Sequence, residues 1–157
     1  MPTIVFVCTA NICRSPVAEA LFADWLRKEA IPGEWRVESA GTWAESGAPA
    51  ASYSRELLEQ DGLDLAAHRA RRIERELVES ADLILCMTRS QREALRAEFP
   101  ERDRHIQLLS EMAGPVYDIA DPYGGPREGY VRMVAEIRHL IEAGGPEILR
   151  LASASPA

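Results

Sequence analysis

The sequence lacks the features that would bind a polyanion or cross a membrane. Its 157 residues carry a formal net charge of −7, and because that charge repels phosphate backbones and anionic lipids, we expect neither a nucleic-acid nor a membrane partner. The N-terminus has no cationic segment, and its apolar run over residues 4–8 is too short for a signal peptide or a membrane span. These absences predict a cytoplasmic protein in which any phosphate recognition is local.

Cysteine is also scarce. The three residues Cys8, Cys13 and Cys86 cannot all pair in disulfides, which favours a reducing compartment. Cys8 and Cys13 have no second pair of ligands and the three histidines stand apart, so no zinc site is predicted. The chain is 46% hydrophobic, which suffices for one core, and no repeat or linker divides it. We expect a single domain over residues 1–152 and a disordered tail over 153–157.

Four short apolar runs rich in Val, Ile and Leu predict buried strands at residues 3–8, 35–41, 81–87 and 105–111. Helical patterns lie between them, and the last of these is predicted to end at the Ala-Gly-Gly of residues 143–145. Since strands and helices alternate, we expect an α/β fold with a four-stranded, parallel, twisted sheet covered by helices on both faces. The long loop over 112–126 is of the kind that often carries function.

The segment CTANICR at residues 8–14 has the composition of a phosphate-binding loop. Cys8 ends the first predicted strand, and Arg14 precedes a helix predicted to begin at Ser15, with Pro16 at its favoured first position. Five intervening residues can curl so that their amides face one anion, which the arginine then binds with two hydrogen bonds. They are Thr9, Ala10, Asn11, Ile12 and Cys13. In this setting a cysteine is stabilised as the nucleophilic thiolate, so Cys8 is predicted to be reactive rather than a small buried residue at a strand end.

The same Cys-x5-Arg spacing occurs at Cys86 and Arg92, so spacing alone does not identify the site. Ser90 and Glu93 match a capping box, which would place Arg92 in the first turn of a helix and leave too few residues for a loop. Cys86 lies inside the apolar run LILCM and is interpreted as a core residue. The sequence therefore favours the loop that follows Cys8.

The stretch VFVCTANICRSPVAEA at residues 5–20 resembles the N-terminal signature of the low-molecular-weight protein tyrosine phosphatases. Three further segments resemble family segments in the family's order: SAGT at 39–42, ADLILCM at 81–87 and DPYGG at 121–125. The resemblance implies a four-stranded parallel sheet with the phosphate-binding loop after the first strand, at a topological switch point. It also implies a cysteine-dependent phosphatase that acts on phosphorylated proteins through a thiophosphoryl-enzyme intermediate.

Asp121 is the predicted general acid, since ester hydrolysis needs a proton for the leaving oxygen and then a base for the attacking water. It opens the DPYGG segment, where the family carries its acid, and Pro122 restrains the backbone beside it. Asp118 is the alternative, interpreted as a turn former or a solvated loop residue. No metal or other cofactor is predicted, because Arg14 and the loop amides can bear the charge that magnesium carries elsewhere.

The resemblance also implies residues that support the loop. Asn11 can adopt a left-handed backbone, and Ser15 is placed to donate to the thiolate. Family members hold such residues with a serine and a histidine, here Ser39 and His68, although His68 could instead be a solvated residue that opens the basic run HRARR. The family usually has glycine where this chain has Ala10, so either Ala10 keeps a negative φ or the loop is strained.

Three apolar side chains could wall the entrance: Ile12, Trp43 and Tyr123. Together they would form a slot deep enough for phosphotyrosine and too deep for phosphoserine. Trp43 is equally compatible with an ordinary core position. Phosphotyrosine in proteins is therefore the predicted substrate.

Three other functions remain as alternatives. A protein-arginine phosphatase belongs to a related branch, but that branch carries threonine where this chain has Ile12. Arsenate reduction is less favoured, because it needs two further cysteines and only Cys86 lies outside the loop. A phosphate-binding module without catalysis is disfavoured by the presence of Cys8, Arg14 and Asp121 together.

Overall fold

The four apolar runs form the four strands of one parallel sheet in the structure, a computed structural model that describes residues 1–154. The strands are β1 (Thr3–Cys8), β2 (Arg36–Gly41), β3 (Leu83–Cys86) and β4 (Ile106–Leu108). The α-helices are α1 (Arg14–Lys28), α2 (Ser52–Glu59), α3 (Arg75–Ser80), α4 (Arg89–Glu98) and α5 (Arg127–Ser153), and 3-10 helices cover Pro100–His105 and Ser110–Met112. The predicted α/β fold class is confirmed.

Strand β1 lies inside the sheet, which has the order β2-β1-β3-β4. It is buried along its whole length and pairs in parallel with β2 on one side and β3 on the other. Successive side chains of a strand point to opposite faces, so Ile4 and Phe6 pack into one apolar layer and Val5 and Val7 into the other. The carboxyl end of β1 thus emerges between neighbouring strands, at the edge where α/β sheets bind ligands.

Helices cover both faces of this sheet. The layer on one face includes Phe22 of α1, Leu58 of α2 and Ile137 of α5, and the layer on the other includes Val78 of α3 and Leu95 of α4. Burial of these apolar side chains is the main force that holds the helices against the strands. Within residues 1–154, no helix is long and apolar enough to cross a bilayer.

Helix α5 is longer than the sequence predicts. It continues through Gly144 and Gly145 to Ser153, so the prediction that it ends at these glycines is wrong. Both glycines mark close packing instead: a Cβ at Gly144 would lie 2.7 Å from the Cβ of Met112, and one at Gly145 would lie 2.4 Å from the Trp25 ring. Tertiary contacts therefore stabilise a helical segment that residue preference alone disfavours.

The predicted tail lies partly inside this helix. Ser153 is the last residue of α5 and Ala154 caps it. Residues 155–157, the rest of the segment predicted to be disordered, lie outside the described residues.

Helix α4 begins earlier than predicted, and its capping box is formed by Thr88 and Gln91 rather than by Ser90 and Glu93. The Gln91 N–H donates to the Thr88 hydroxyl at 3.3 Å, and the Thr88 N–H donates to the Gln91 side chain at 3.0 Å. The helix therefore starts even closer to Cys86 than the sequence suggests. The segment that follows Cys86 has no room to form an anion-binding loop.

Candidate active site

The residues between β1 and α1 form a tight loop with the cysteine at its start and the arginine at its end. Cys8 is the last residue of β1 and Arg14 is the first residue of α1, and both are buried. The first turn of α1 contains no acidic residue, so no carboxylate of the helix itself neutralises the partial positive charge of its N-terminus. This loop is therefore a place where an anion would be stabilised.

A glycine at the end of β2 allows the loop to approach the sheet closely. A Cβ at Gly41 would lie 2.4 Å from the carbonyl oxygen of Thr9 and 3.1 Å from the carbonyl carbon of Ala10. Among the described non-glycine residues, only Asn11 and Ala30 have a positive φ. Ala10 therefore keeps a negative φ, and the loop accepts it where the family usually has glycine.

Asn11 organises the loop from inside. It is fully buried and has the left-handed conformation predicted for it, with a φ of 59°. Its side-chain amide donates to the hydroxyls of Ser15 at 2.8 Å and Ser39 at 3.0 Å, and its Oδ1 accepts from the Arg71 N–H at 3.0 Å. The Nε2 atom of His68 lies 2.7 Å from the Asn11 carbonyl oxygen. The structure thus places Ser39 and His68 against the loop, together with Arg71.

Cys8 is buried, with 2% of the residue exposed. Its two polar neighbours are the Ser15 hydroxyl at 3.0 Å and the Asn11 N–H, which donates to it across 3.3 Å. Because the Ser15 oxygen already accepts a hydrogen bond from the Asn11 side chain, the hydroxyl proton is free to point at the sulfur. Both neighbours can therefore donate to a negatively charged sulfur.

Arg14 is buried, but its guanidinium is only partly hydrogen-bonded. Its Nη1 donates to the carbonyl oxygen of Ile119 at 2.8 Å, and its Nη2 lies 3.5 Å from the Asp121 carboxylate. Its Nε is buried and has no hydrogen-bond partner among the described residues. A buried guanidinium with an unpaired N–H is costly unless a ligand binds it, and an oxyanion is the ligand that a guanidinium prefers.

The two candidate carboxylates of the long loop have different surroundings. Asp121 contacts Arg14, is about half exposed and accepts from the Tyr123 N–H at 3.1 Å. Asp118 instead accepts two hydrogen bonds from Arg89, from the backbone N–H at 2.8 Å and from Nε at 3.1 Å. These bonds hold the pKa of Asp118 below its usual range. Asp121 is thus the carboxylate that lies beside the buried arginine.

The three predicted rim residues differ in exposure. Trp43 is 73% exposed and Tyr123 is 68% exposed, whereas Ile12 is partly buried against the core. The Arg72 guanidinium lies over the Trp43 ring, 4.9 Å from its centre. The backbone N–H of Trp43 donates to the carbonyl of Thr9. Trp43 is therefore a surface residue beside the loop, and its interpretation as a core tryptophan is wrong.

Two further side chains, which the sequence analysis did not single out, complete the network. The Gln91 amide donates to the Thr9 hydroxyl at 3.0 Å, which joins the start of α4 to the loop. The Thr88-x-x-Gln91 spacing of a capping box is the signal that could have identified it. Glu19 accepts from the Ser39 hydroxyl at 2.6 Å, and its burial raises its pKa. No local pattern marks Glu19, because it lies on α1 and its partner Ser39 lies on β2.

The thiols of Cys13 and Cys86 are buried, and neither forms a disulfide bond. Burial raises the pKa of Cys13 to about 11, although the Tyr130 hydroxyl lies 3.5 Å from its sulfur. Burial likewise raises the pKa of Cys86 to about 12. Both are therefore neutral at physiological pH. Within residues 1–154, no group of three or more His, Cys, Asp or Glu side chains is arranged to hold a metal ion.

Comparison with known proteins identifies the relatives of this chain. The family model of low molecular weight phosphotyrosine protein phosphatases matches residues 3–149. A protein-arginine-phosphatase of Geobacillus stearothermophilus is 38% identical over 140 residues, which cover 88% of this chain and 90% of that protein. A probable low molecular weight protein-tyrosine-phosphatase, EpsP of Ralstonia solanacearum, is 38% identical over 149 residues, which cover 95% of this chain and 97% of that protein.

The fold agrees with a solved structure. The crystal structure of the low molecular weight protein tyrosine phosphatase from T. tengcongensis superposes with a TM-score of 0.87 at 35% identity, covering 94% of this chain and 99% of that one. The match of the family model over residues 3–149 includes the sheet, the loop after β1 and the segment that carries Asp121.

Proposed function

Because this chain belongs to the low molecular weight phosphotyrosine protein phosphatase family, we propose that it hydrolyses phosphotyrosine in proteins, with Cys8 as the nucleophile. The observation that carries the proposal is the unpaired, buried Nε of Arg14 at the end of the loop that Cys8 begins. A phosphoryl group bound in this loop would accept from that N–H and from the loop amides, and its charge would be stabilised by the guanidinium.

The proposed reaction has two steps. The Cys8 thiolate attacks phosphorus, so that an S–P bond forms while the P–O bond to the tyrosyl oxygen breaks, and Asp121 gives its proton to that oxygen. The ionised Asp121 then takes a proton from a water molecule, whose oxygen attacks phosphorus and breaks the S–P bond. Inorganic phosphate and the thiolate are released. Arg14 and the loop amides stabilise the equatorial oxygens in both steps.

The assignment of the acid to Asp121 is supported by the surroundings of the two loop carboxylates. Asp121 lies 3.5 Å from Arg14 and is half exposed, so it can exchange protons with a bound ester and with water. Asp118 accepts two hydrogen bonds from Arg89 that favour its ionised form. Among the described residues the ion pair of Asp118 is with Arg89, whereas Asp121 is the carboxylate that pairs with Arg14.

The preference for tyrosine is supported by the apolar walls of the entrance. Ile12 offers a branched apolar side chain, and the exposed rings of Trp43 and Tyr123 offer aromatic surface. An apolar side chain such as that of Ile12 suits an aromatic ring better than a charged phosphoguanidinium. Protein-arginine phosphatase is the second candidate, because a relative of that name is as similar to this chain as one named for tyrosine.

Hydrolysis of 4-nitrophenyl phosphate tests the chemistry. We expect Cys8→Ser to lower the rate by about a thousandfold or more, because it removes the nucleophile. Cys86→Ala is the matched control, since Cys86 is a buried cysteine of the neighbouring strand, and it should retain activity. Equal rates for wild type and Cys8→Ser would leave only a phosphate-binding role.

Phosphopeptides that carry phosphotyrosine or phosphoarginine test the substrate. We expect a higher kcat/KM for phosphotyrosine, and Ile12→Thr should shift the preference towards phosphoarginine by removing apolar contact with the ring. A wild-type protein that prefers phosphoarginine would replace the proposed substrate and leave the proposed chemistry intact.

A further inference from the structure

The segment that carries Asp121 has few attachments of its own. From residue 120 to residue 125, its hydrogen bonds within the described part of the chain are local, from Tyr123 to Asp121 and from Gly125 to Pro122. Within residues 1–154, the only longer-range polar contact of this segment is that between Asp121 and Arg14. Pro122 is buried near Gly129 of α5 and restrains Asp121 from the C-terminal side by packing, so the polar contacts that can set the position of Asp121 lie in the residues just before it.

Those preceding residues are attached firmly to the turn between β3 and α4. The Ile119 N–H donates to the carbonyl of Met87 at 3.0 Å, and the Ile119 side chain is buried. One residue earlier, the Asp118 carboxylate accepts from the backbone N–H and from Nε of Arg89. The ion pair and the backbone bond thus hold two consecutive residues against one turn.

The same turn also contacts the phosphate-binding loop. Gln91 accepts from the backbone N–H groups of Met87 and Thr88 at 3.0 Å, and its amide donates to the Thr9 hydroxyl. The loop that would bind the phosphoryl group and the segment that carries Asp121 are therefore positioned from a common structural element. In addition, the Ile119 carbonyl accepts from Arg14, and because the Ile119 N–H bonds to Met87 independently of Asp118, loss of the Asp118 ion pair should leave the guanidinium in place.

We propose that Asp118 and Arg89 are positioning residues for the general acid: their ion pair holds the segment 118–121 against the β3–α4 turn and so sets the distance between the Asp121 proton and the leaving oxygen. This inference rests on the proposed function, since it assumes that Asp121 is the acid. Asp118 contacts no reacting atom in this role. It acts through the backbone that connects it to Asp121.

The dependence on the leaving group separates such a role from a general loss of stability. A 4-nitrophenolate leaving group needs little protonation, whereas a phenolate leaving group depends on the acid. Asp118→Ala should therefore lower kcat/KM for phenyl phosphate by about tenfold, a fraction of the 10²- to 10⁴-fold that a general acid supplies, and for 4-nitrophenyl phosphate by much less. Arg89→Ala, which retains the backbone donor, should show the same pattern with a smaller loss.

Asp61→Ala is the matched control. Asp61 forms an ion pair with Arg138 of α5, and its side chain is about as exposed as that of Asp118. Among the described residues, no hydrogen bond or ion pair joins it to the candidate site. Asp61→Ala should leave kcat/KM unchanged for both phenyl phosphate and 4-nitrophenyl phosphate. Equal losses on both esters in Asp118→Ala, or no loss on either, would overturn the inference.

Asp121→Asn distinguishes this inference from the proposed function. If Asp121→Asn lowers kcat/KM mainly for phenyl phosphate and Asp118→Ala does not show this pattern, the positioning role is wrong and the acid assignment stands. If Asp121→Asn shows no dependence on the leaving group, the acid assignment itself is wrong. Should Asp118→Ala fold poorly, as judged by circular dichroism, Arg89→Ala decides the question alone, because it removes only the exposed side-chain half of the contact.

Discussion

Replacement of Asn11 tests how the loop is held. In Asn11→Ala, three hydrogen bonds of a fully buried side chain are lost, to Ser15, Ser39 and the Arg71 N–H. At about 1 kcal/mol each, they contribute about 3 kcal/mol to the free energy of unfolding. Alanine at a φ of 59° adds about 1 kcal/mol of backbone strain. The total loss should be about 4 kcal/mol.

The variant Asn11→Gly separates these two contributions. It loses the same three hydrogen bonds, but glycine adopts a positive φ without the steric cost of a Cβ. We expect Asn11→Gly to be more stable than Asn11→Ala by about 1 kcal/mol. Both variants should also lose phosphatase activity, because the Asn11 N–H and the Ser15 hydroxyl next to Cys8 would no longer be held in place.

Urea denaturation followed by circular dichroism measures both free energies, and thermal denaturation should show a decrease in Tm of about 10 °C for Asn11→Ala. A loss below about 1 kcal/mol in Asn11→Ala would show that the three hydrogen bonds do not hold the loop. If Asn11→Gly were the less stable variant, the argument from backbone strain would be refuted.

Three further predictions concern other parts of the molecule. Ala30→Gly should raise the free energy of unfolding by about 1 kcal/mol in urea denaturation, because Ala30 has a φ of 51°; a lower stability would contradict this. Burial raises the pKa of Cys13 from 9.0 to about 11, so the thiol stays protonated to a higher pH in the folded state than in the unfolded state. The stability that the neutral thiol contributes is therefore present below pH 9 and is lost as the pH rises through about 11. When the free energy of unfolding is measured by denaturation between pH 9 and about 11, it should therefore fall less for Cys13→Ala than for wild type. The same dependence on pH in both proteins would refute the argument. Gly144→Ala should destabilise by about 1–3 kcal/mol, since its Cβ would lie 2.7 Å from that of Met112, and unchanged thermal unfolding would show that α5 adjusts freely.

Much of the fold and the centre of the site could be predicted because their signals are local. The apolar runs specify strands through side-chain burial, and their alternation with helices specifies a parallel sheet. The loop from Cys8 to Arg14 is one continuous segment, so its length, its small residues and the helix that follows can all be judged from neighbouring residues. The left-handed Asn11 belongs to the same class of local prediction.

Predictions failed where a distant contact overrides a local preference. The glycines of α5 are helix-ending residues by preference, yet Gly144 and Gly145 lie inside the helix because Met112 and Trp25 pack against them. The start of α4 was misplaced because two capping boxes overlap in the sequence. The side chain of Gln91 also bonds to Thr9, 82 residues away, which favours the earlier box.

By itself, the sequence determined the strands, their parallel arrangement and the segment proposed to bind the anion, since each of these follows from the composition and spacing of adjacent residues. The tertiary structure alone decided which distant groups meet there. The carbonyl of Ile119 reaches Arg14 across 105 positions in the chain, and Arg71 reaches Asn11 across 60. It also decided that Asp121 faces the guanidinium while Asp118 is bound by Arg89. The physical reason is that a hydrogen bond depends on distance and direction in space, which are set only when the sheet brings the ends of its strands together.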